Sequence, residues 1–137
     1  MVTADTNVAV YALTSDAQKA RRAQASLIGS DFLSVQVLNE TANVLNRKRR
    51  LVWDDILDRL SDLRELVPDI RTITDADNRA ATRLAQRYRL QFYDALLIAV
   101  ALANGATTLY SEDMQHGLLI DDTLRIKNPF RDGEVIA

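Results

Sequence analysis

The stretch YDALLIAVALANG, residues 93–105, constrains this chain more than any other part of it. It is long enough for a helix of several turns and closes on Asn104 and Gly105, residues that commonly end helices. Its apolar residues fall on nearly every side, so such a helix must be enclosed by other elements and not merely docked against one. A chain of 137 residues can enclose it, because a domain of that size buries roughly two-thirds of its unfolded surface in one core. The run 95–103 is too short to span a bilayer. Asp94 is the only charged residue between Arg89 and Glu112. It falls at the start of this helix, where a negative charge is favourable, and a buried carboxylate there needs a partner or a metal.

What encloses the helix follows from the alternation around it. Residues 2–5 read as a short strand, and 7–13 as a short helix entered directly after it. Ser15 or Asp16 caps a second helix, AQKARRAQASLI, which ends at Gly29. FLSV (32–35) reads as a strand, after which Ser34 caps a helix through VLNETANVLNRKRR with Val37, Thr41, Val44 and Leu45 on one face. A further helix runs from about Asp54 to Val67, with Ile56, Leu60, Leu63 and Val67 at helical spacing and Leu57 and Leu66 widening the stripe. Pro68 breaks it, and IRTIT (70–74) reads as a strand. Thr74 or Asp75 then caps a helix whose Ala76, Ala80, Leu84 and Tyr88 share a stripe. TTLYS (107–111) and TLRIK (123–127) are the remaining strands, and NPF (128–130) ends the packed domain. Strands alternating with helices over this length predict an α/β domain with a parallel sheet covered on both faces.

Composition narrows the chemistry. The chain has no Cys and one His, which excludes a disulfide framework, a thiolate zinc site and a cysteine nucleophile. Any metal would be held by oxygen ligands or by His116. The start lacks a basic segment followed by an apolar h-region, so a soluble, unexported, cytoplasmic protein is expected. The formal net charge of -2 conceals basic clusters, among them NRKRR (46–50), which is either a solvated helix end or a phosphate contact.

In parallel sheets, ligands collect beyond the carboxyl ends of the strands. Asp5 lies at one such end and SED (111–113) at another. Singly, each acid has an ordinary explanation: Asp5 as an N-cap, Glu40 as an exposed mid-helix residue on the same side as Asn43, Glu112 and Asp113 as solvated loop acids. Together they occupy two strand ends and two helices able to flank them. Two like charges about 4 Å apart repel by roughly 4 kcal/mol at an effective dielectric of about 20, so converging carboxylates call for a cation. Hard oxygen ligands favour Mg²⁺ or Mn²⁺, which suits phosphodiester chemistry.

DTNVAVYAL at the start, VLNETANVLNRK, YDALLIAVALANGATTLYSEDMQHG and the closing NPF, in that order and spacing, resemble a PIN-domain ribonuclease of the VapC toxin type. The resemblance implies a PIN-like fold with a central, mostly parallel sheet of about five short strands, spanning 1–130 with a tail at 131–137. It further implies Mg²⁺- or Mn²⁺-dependent endoribonuclease activity, homodimerisation and inhibition by a VapB-type antitoxin. Carried over by position, Asp5, Glu40 and Asp94 take the family's first three acids. The fourth falls in SED, with Ser111 as the hydroxyl and Asp113 as the acid, and Glu112 as the competing choice. Asn7 matches the polar residue of the opening motif, orienting Asp5 or a metal-bound water. Asp5, Asp94 and Asp113 are then expected to hold the metal, with Glu40 ligating or deprotonating the attacking water. His116 is expected as a surface loop residue, with RNA contact or acid catalysis as its other readings.

Aspartyl-phosphate chemistry is disfavoured. A haloacid-dehalogenase-like site needs an Asp where Asn7 stands, and a receiver domain needs an acid pair after the first strand, although Lys127 imitates its late lysine. The alternative outside enzymology is a non-catalytic module that binds RNA or protein, whose acids only cap helices.

Overall fold

A computed structural model describes residues 1–14 and 16–131; Ser15 and most of the 131–137 tail lie outside the described residues. In chain order the elements are β1 (Val2–Ala4), α1 (Thr6–Thr14), α2 (Ala17–Ile28), β2 (Leu33–Ser34), α3 (Val35–Arg47), α4 (Trp53–Leu66), β3 (Ile70–Arg71), α5 (Asp75–Tyr88), α6 (Phe92–Ala103), β4 (Thr108–Tyr110), β5 (Leu119–Ile120) and β6 (Leu124–Lys127). The architecture is α/β, as the alternation predicts.

The main sheet has the order β1-β4-β6-β5, and a smaller one joins β2 to β3. Every pairing is parallel except β5 with β6. The two sheets lie side by side: Asp31 N–H donates to the Val2 carbonyl at 2.7 Å, and the Thr3 hydroxyl donates to the Phe32 carbonyl at 2.7 Å. A side-chain bond thus continues the ladder where the backbone pairing stops.

The core has two halves. Leu109 and Phe32 belong to one, with α5, β5 and β6, while Leu33 and Ala4 belong to the other, with α1, α2, α3 and α4. Successive strand residues point to opposite faces, so the sheet is covered on both. The α6 helix buries seven consecutive residues, Ala95–Ala101. Leu97 packs into one half of the core while Leu96, Ile98 and Ala101 pack into the other. Each large apolar side chain so enclosed contributes about 1.5–3 kcal/mol.

Several expected local signals are present. Asp16 caps α2 by accepting from Lys19 N, Ser34 caps α3 by accepting from Gln36 N, and Thr74 forms a capping box with Asp77. Gly29 ends α2 with a right-handed φ of -79°, whereas Gly105 leaves α6 at +81°, a conformation that costs an L side chain energy. Two apolar stripes shift. On α5 the buried positions are Asp77, Ala81 and Leu84, and Ala76 is exposed. On α4 Leu57 is 66% exposed, because α4 packs on one side only and Leu57 lies about a hundred degrees around the helix from the buried Ile56.

Candidate active site

The register of β1 on β4 builds the site. Val2, Thr3 and Ala4 pair with Thr108, Leu109 and Tyr110, so Asp5 and Ser111 emerge side by side at the carboxyl ends of adjacent parallel strands. The Ser111 hydroxyl, fully buried, donates to Asp5 Oδ2 at 2.9 Å. Asp5 Oδ1 accepts from Thr6 N at 2.6 Å, so Asp5 also opens α1. Asp5 thus stands both at the start of α1, where its carboxylate takes the Thr6 amide and not the N2 or N3 amide of a full cap, and in the wall of a pocket.

Asp5, Glu40, Asp94 and Asp113 line a single cavity of about 420 Å³, together with Thr6 and Asn7. They come from the end of β1, the middle of α3, the first turn of α6 and the loop after β4. Burial pushes the Asp5 carboxyl up to about 6, against the hydrogen bonds from Ser111 and Thr6, with Asp94 and Glu40 adding repulsion. Burial likewise raises Glu40, where Gln36 opposes it and Asp94 adds to it. Asp94 is raised by burial and then by Asp113. The carboxylates therefore feel one another, as their convergence predicts.

Lys48 and Arg49 line the same cavity, so the NRKRR run closes α3 and also faces the acids. Glu112 turns elsewhere. Its Oε1 accepts from the Tyr11 hydroxyl at 2.6 Å and its Oε2 pairs with Lys19 Nζ at 2.9 Å. Burial pushes Glu112 up, but these partners outweigh it and hold its carboxyl below the usual value. Lys19 also sits 3.9 Å from the centroid of the Tyr11 ring, which packs edge to face with Phe130. His116 is half-buried, its Nδ1 accepting from Asn128 N at 3.0 Å.

Among the described residues, no group of three or more acid or histidine side chains stands close enough to form a ready metal cage. The donor chemistry nonetheless fits a hard divalent cation. Five buried side-chain atoms of the described residues lack a hydrogen-bond partner, and four of them line this cavity: Thr6 Oγ1, Asn7 Nδ2, Asn7 Oδ1 and Glu40 Oε1. Buried polar atoms left without partners cost free energy, and here they surround mutually repelling carboxylates. Mg²⁺ in particular keeps several waters and needs only one or two carboxylates. No motif marks Gln36 or Gln91, which also belong to this neighbourhood, and Tyr11 falls within DTNVAVYAL without being singled out; the signal for Gln36 is its place four residues before Glu40 on the same helix.

A parallel sheet that delivers acids from its strand ends and two flanking helices into one basic-rimmed pocket defines a class of α/β protein with a single acidic centre. The chain belongs to the PIN domain family, whose model matches residues 2–117. Solved structures share the fold. Mycobacterium tuberculosis VapC20, described as a sarcin-ricin loop cleaving toxin, is 20% identical with a TM-score of 0.66 over 82% of this chain and 90% of its own. A toxin-antitoxin complex from Klebsiella pneumoniae is 16% identical with a TM-score of 0.70, covering 95% of this chain and 98% of its own. VapBC2 from Rickettsia felis, bound to a DNA fragment from its promoter, is 17% identical with a TM-score of 0.70, covering 93% and 98%. No curated protein matches the sequence.

Proposed function

We propose that the chain is a Mg²⁺- or Mn²⁺-dependent endoribonuclease, the toxin of a toxin-antitoxin pair. The observation that carries this reading is the cavity in which four carboxylates from four elements meet orphaned polar atoms, with Lys48 and Arg49 at its rim. Asp5, Asp94 and Asp113 are the residues to hold the ion. When bound, it supplies Lewis acidity to phosphodiester hydrolysis.

The chain's own groups divide the remaining work. Ser111 fixes Asp5 Oδ2, the Thr6 amide fixes Oδ1, and Asn7 presents its free carboxamide beside them. Lys48 and Arg49 take the phosphate flanking the cleaved bond. Glu40 either joins the ligands or, its carboxyl raised by burial, accepts a proton from the attacking water. Water is the nucleophile because the chain has no Cys and His116 bonds to the backbone outside the pocket lining. Glu112 braces Tyr11 and Lys19 and leaves the fourth position to Asp113. The named activity of VapC20 supports RNA as substrate, and the named complexes of two other structural relatives support a VapB-type antitoxin as partner. A homodimer and a cytoplasmic setting complete the reading; no described helix is long and apolar enough to cross a membrane.

The test is incubation of the purified chain, freed of copurifying antitoxin, with mixed cellular RNA and Mg²⁺ or Mn²⁺, beside EDTA, Asp5→Ala and Asp94→Ala. Cleavage by wild type alone, lost in all three controls, is the expected result. Absence of cleavage, joined to a melting temperature indifferent to metal, would replace this reading with a non-catalytic binding module.

A further inference from the structure

A second concavity, of about 340 Å³, adjoins the acidic one and is lined by Gln36, Asn39, Glu40 and Asn43 of α3 and by Tyr93 of α6. Its volume falls within the roughly 300–1,000 Å³ of ordinary ligand pockets. Glu40 lines both cavities, so they share a wall. The four α3 residues recur at helical spacing on one face, opposite the buried Val37, Leu38, Thr41 and Leu45, and three of the four carry carboxamides. A carboxamide both donates and accepts hydrogen bonds.

Tyr93 is 55% exposed and Phe92 36% exposed, although the helix they begin is otherwise buried from Ala95 to Ala101. The two rings meet edge to face, with centroids 5.5 Å apart and planes at 72°, which braces Tyr93 and leaves ring surface to solvent. An anion is not the natural occupant, since the charged side chain here is Glu40 and the cations Lys48 and Arg49 line the neighbouring cavity instead. A planar, uncharged group with hydrogen-bonding edges matches an aromatic face beside carboxamides.

We infer that this recess receives an unpaired base of single-stranded RNA, next to the cleaved phosphodiester, stacked on Tyr93 and read at its edge by Asn39 and Asn43. Unstacked bases are recognised in this way, by aromatic stacking and by hydrogen bonds to their edges. Gln36, one turn before Glu40 on α3 and lining the same recess, is a positioning residue between the base and the acids. The inference rests on the ribonuclease reading above and supplies its sequence preference.

The experiment uses short single-stranded RNAs carrying the fluorescent base 2-aminopurine at each position in turn, bound in EDTA so that no cleavage occurs, with a parallel cleavage assay in Mg²⁺. Wild type and Tyr93→Phe should quench the probe at one or two adjacent positions. Tyr93→Ala should lose that quenching and weaken binding about tenfold, the scale of one base stack, raising KM with little change in kcat. Asn39→Ala and Asn43→Ala should keep the quenching and flatten the discrimination among bases. Unchanged quenching and affinity in Tyr93→Ala overturns the inference, and so does RNA binding that survives while the variant changes from dimer to monomer in light scattering, which would assign the face to a second copy of the chain. Wild type that binds and quenches without cleaving in Mg²⁺ sinks the ribonuclease reading and leaves the base site standing; wild type that binds none of the RNAs sinks the base site.

Discussion

Ser111 shows how much of this site hangs on single atoms. Its hydroxyl donates to Asp5 Oδ2 and accepts from Met114 N at 3.2 Å, tying Asp5 to the loop that carries Asp113. Ser111→Ala removes a hydrogen bond that lowers the Asp5 carboxyl, so Asp5 should titrate still higher, and the acid limb of the cleavage profile should move to higher pH. The buried Met114 amide loses its acceptor as well, at a cost of about 1–3 kcal/mol. Carboxyl carbon NMR of Asp5 and a pH-rate profile check both halves; an unmoved Asp5 would deny the serine its role. Part of the cavity's lining was legible in the sequence, because strand ends and helix faces are local facts: position alone marks Asp5, Glu40, Asp94, Asp113 and Asn7, which line one cavity, and Ser111, which bonds to Asp5. What draws Glu112 away from the cavity was not, since it depends on Tyr11 and Lys19 arriving from α1 and α2. The recess at Tyr93 was not either, because nothing local distinguishes an exposed aromatic from a core one.

Among the elements, α5 carries its start and stop signals most openly. Thr74 accepts from Asp77 N at 3.1 Å while Asp77 Oδ2 accepts from Thr74 N at 2.9 Å, and the helix ends on Arg89 with a left-handed φ of 54°. Thr74→Ala should destabilise the protein by about 1 kcal/mol. Arg89→Gly should offset part of that, because the left-handed conformation costs a non-glycine residue about 1 kcal/mol. Thermal or urea unfolding of the two variants and their combination checks the signs, and a stabilising Thr74→Ala would deny the capping box its weight. The helices were readable because each repeats its pattern over several turns. The strands β2, β3 and β5 are two residues long, and a two-residue strand has no alternation to display. Leu119–Ile120 is a strand only because Leu124 and Arg125 fold back on it, through Asp121 and Asp122 in left-handed conformations. The split of the sheet beside Thr3 was hidden for a related reason, since a side-chain hydroxyl continuing a ladder leaves no periodic trace.

At the scale of the whole molecule, the acidic pocket makes folding and protons compete for the same carboxylates, and the proposed metal would join that competition. Asp5 titrates near 6 in the folded chain against 3.8 as the ordinary value, so the folded state holds its proton more tightly than the unfolded state does. The stabilisation is therefore fully present below about pH 4 and is lost as pH rises through about 6. Its size for Asp5 is about 3 kcal/mol, and Glu40 and Asp94 are shifted in the same direction. A cation that binds the ionised carboxylates restores stability at neutral pH, by about 2.7 kcal/mol at a hundred times its Kd, but below pH 6 it must displace protons first. The melting temperature should accordingly rise with Mg²⁺ or Mn²⁺ at pH 7.5 and respond little at pH 5. Asp69, paired with Arg71, and Glu112 are shifted downward, and their opposing pH dependence cancels when wild type is compared with Asp5→Asn. That variant should be the more stable of the two at pH 7.5 without metal, should lose the advantage towards pH 4, and should show a much smaller metal response. Calorimetry over pH 4–8, with and without metal, measures the whole surface. A metal response as large at pH 5 as at pH 7.5, or one untouched by Asp5→Asn, would place the cation somewhere other than among these carboxylates.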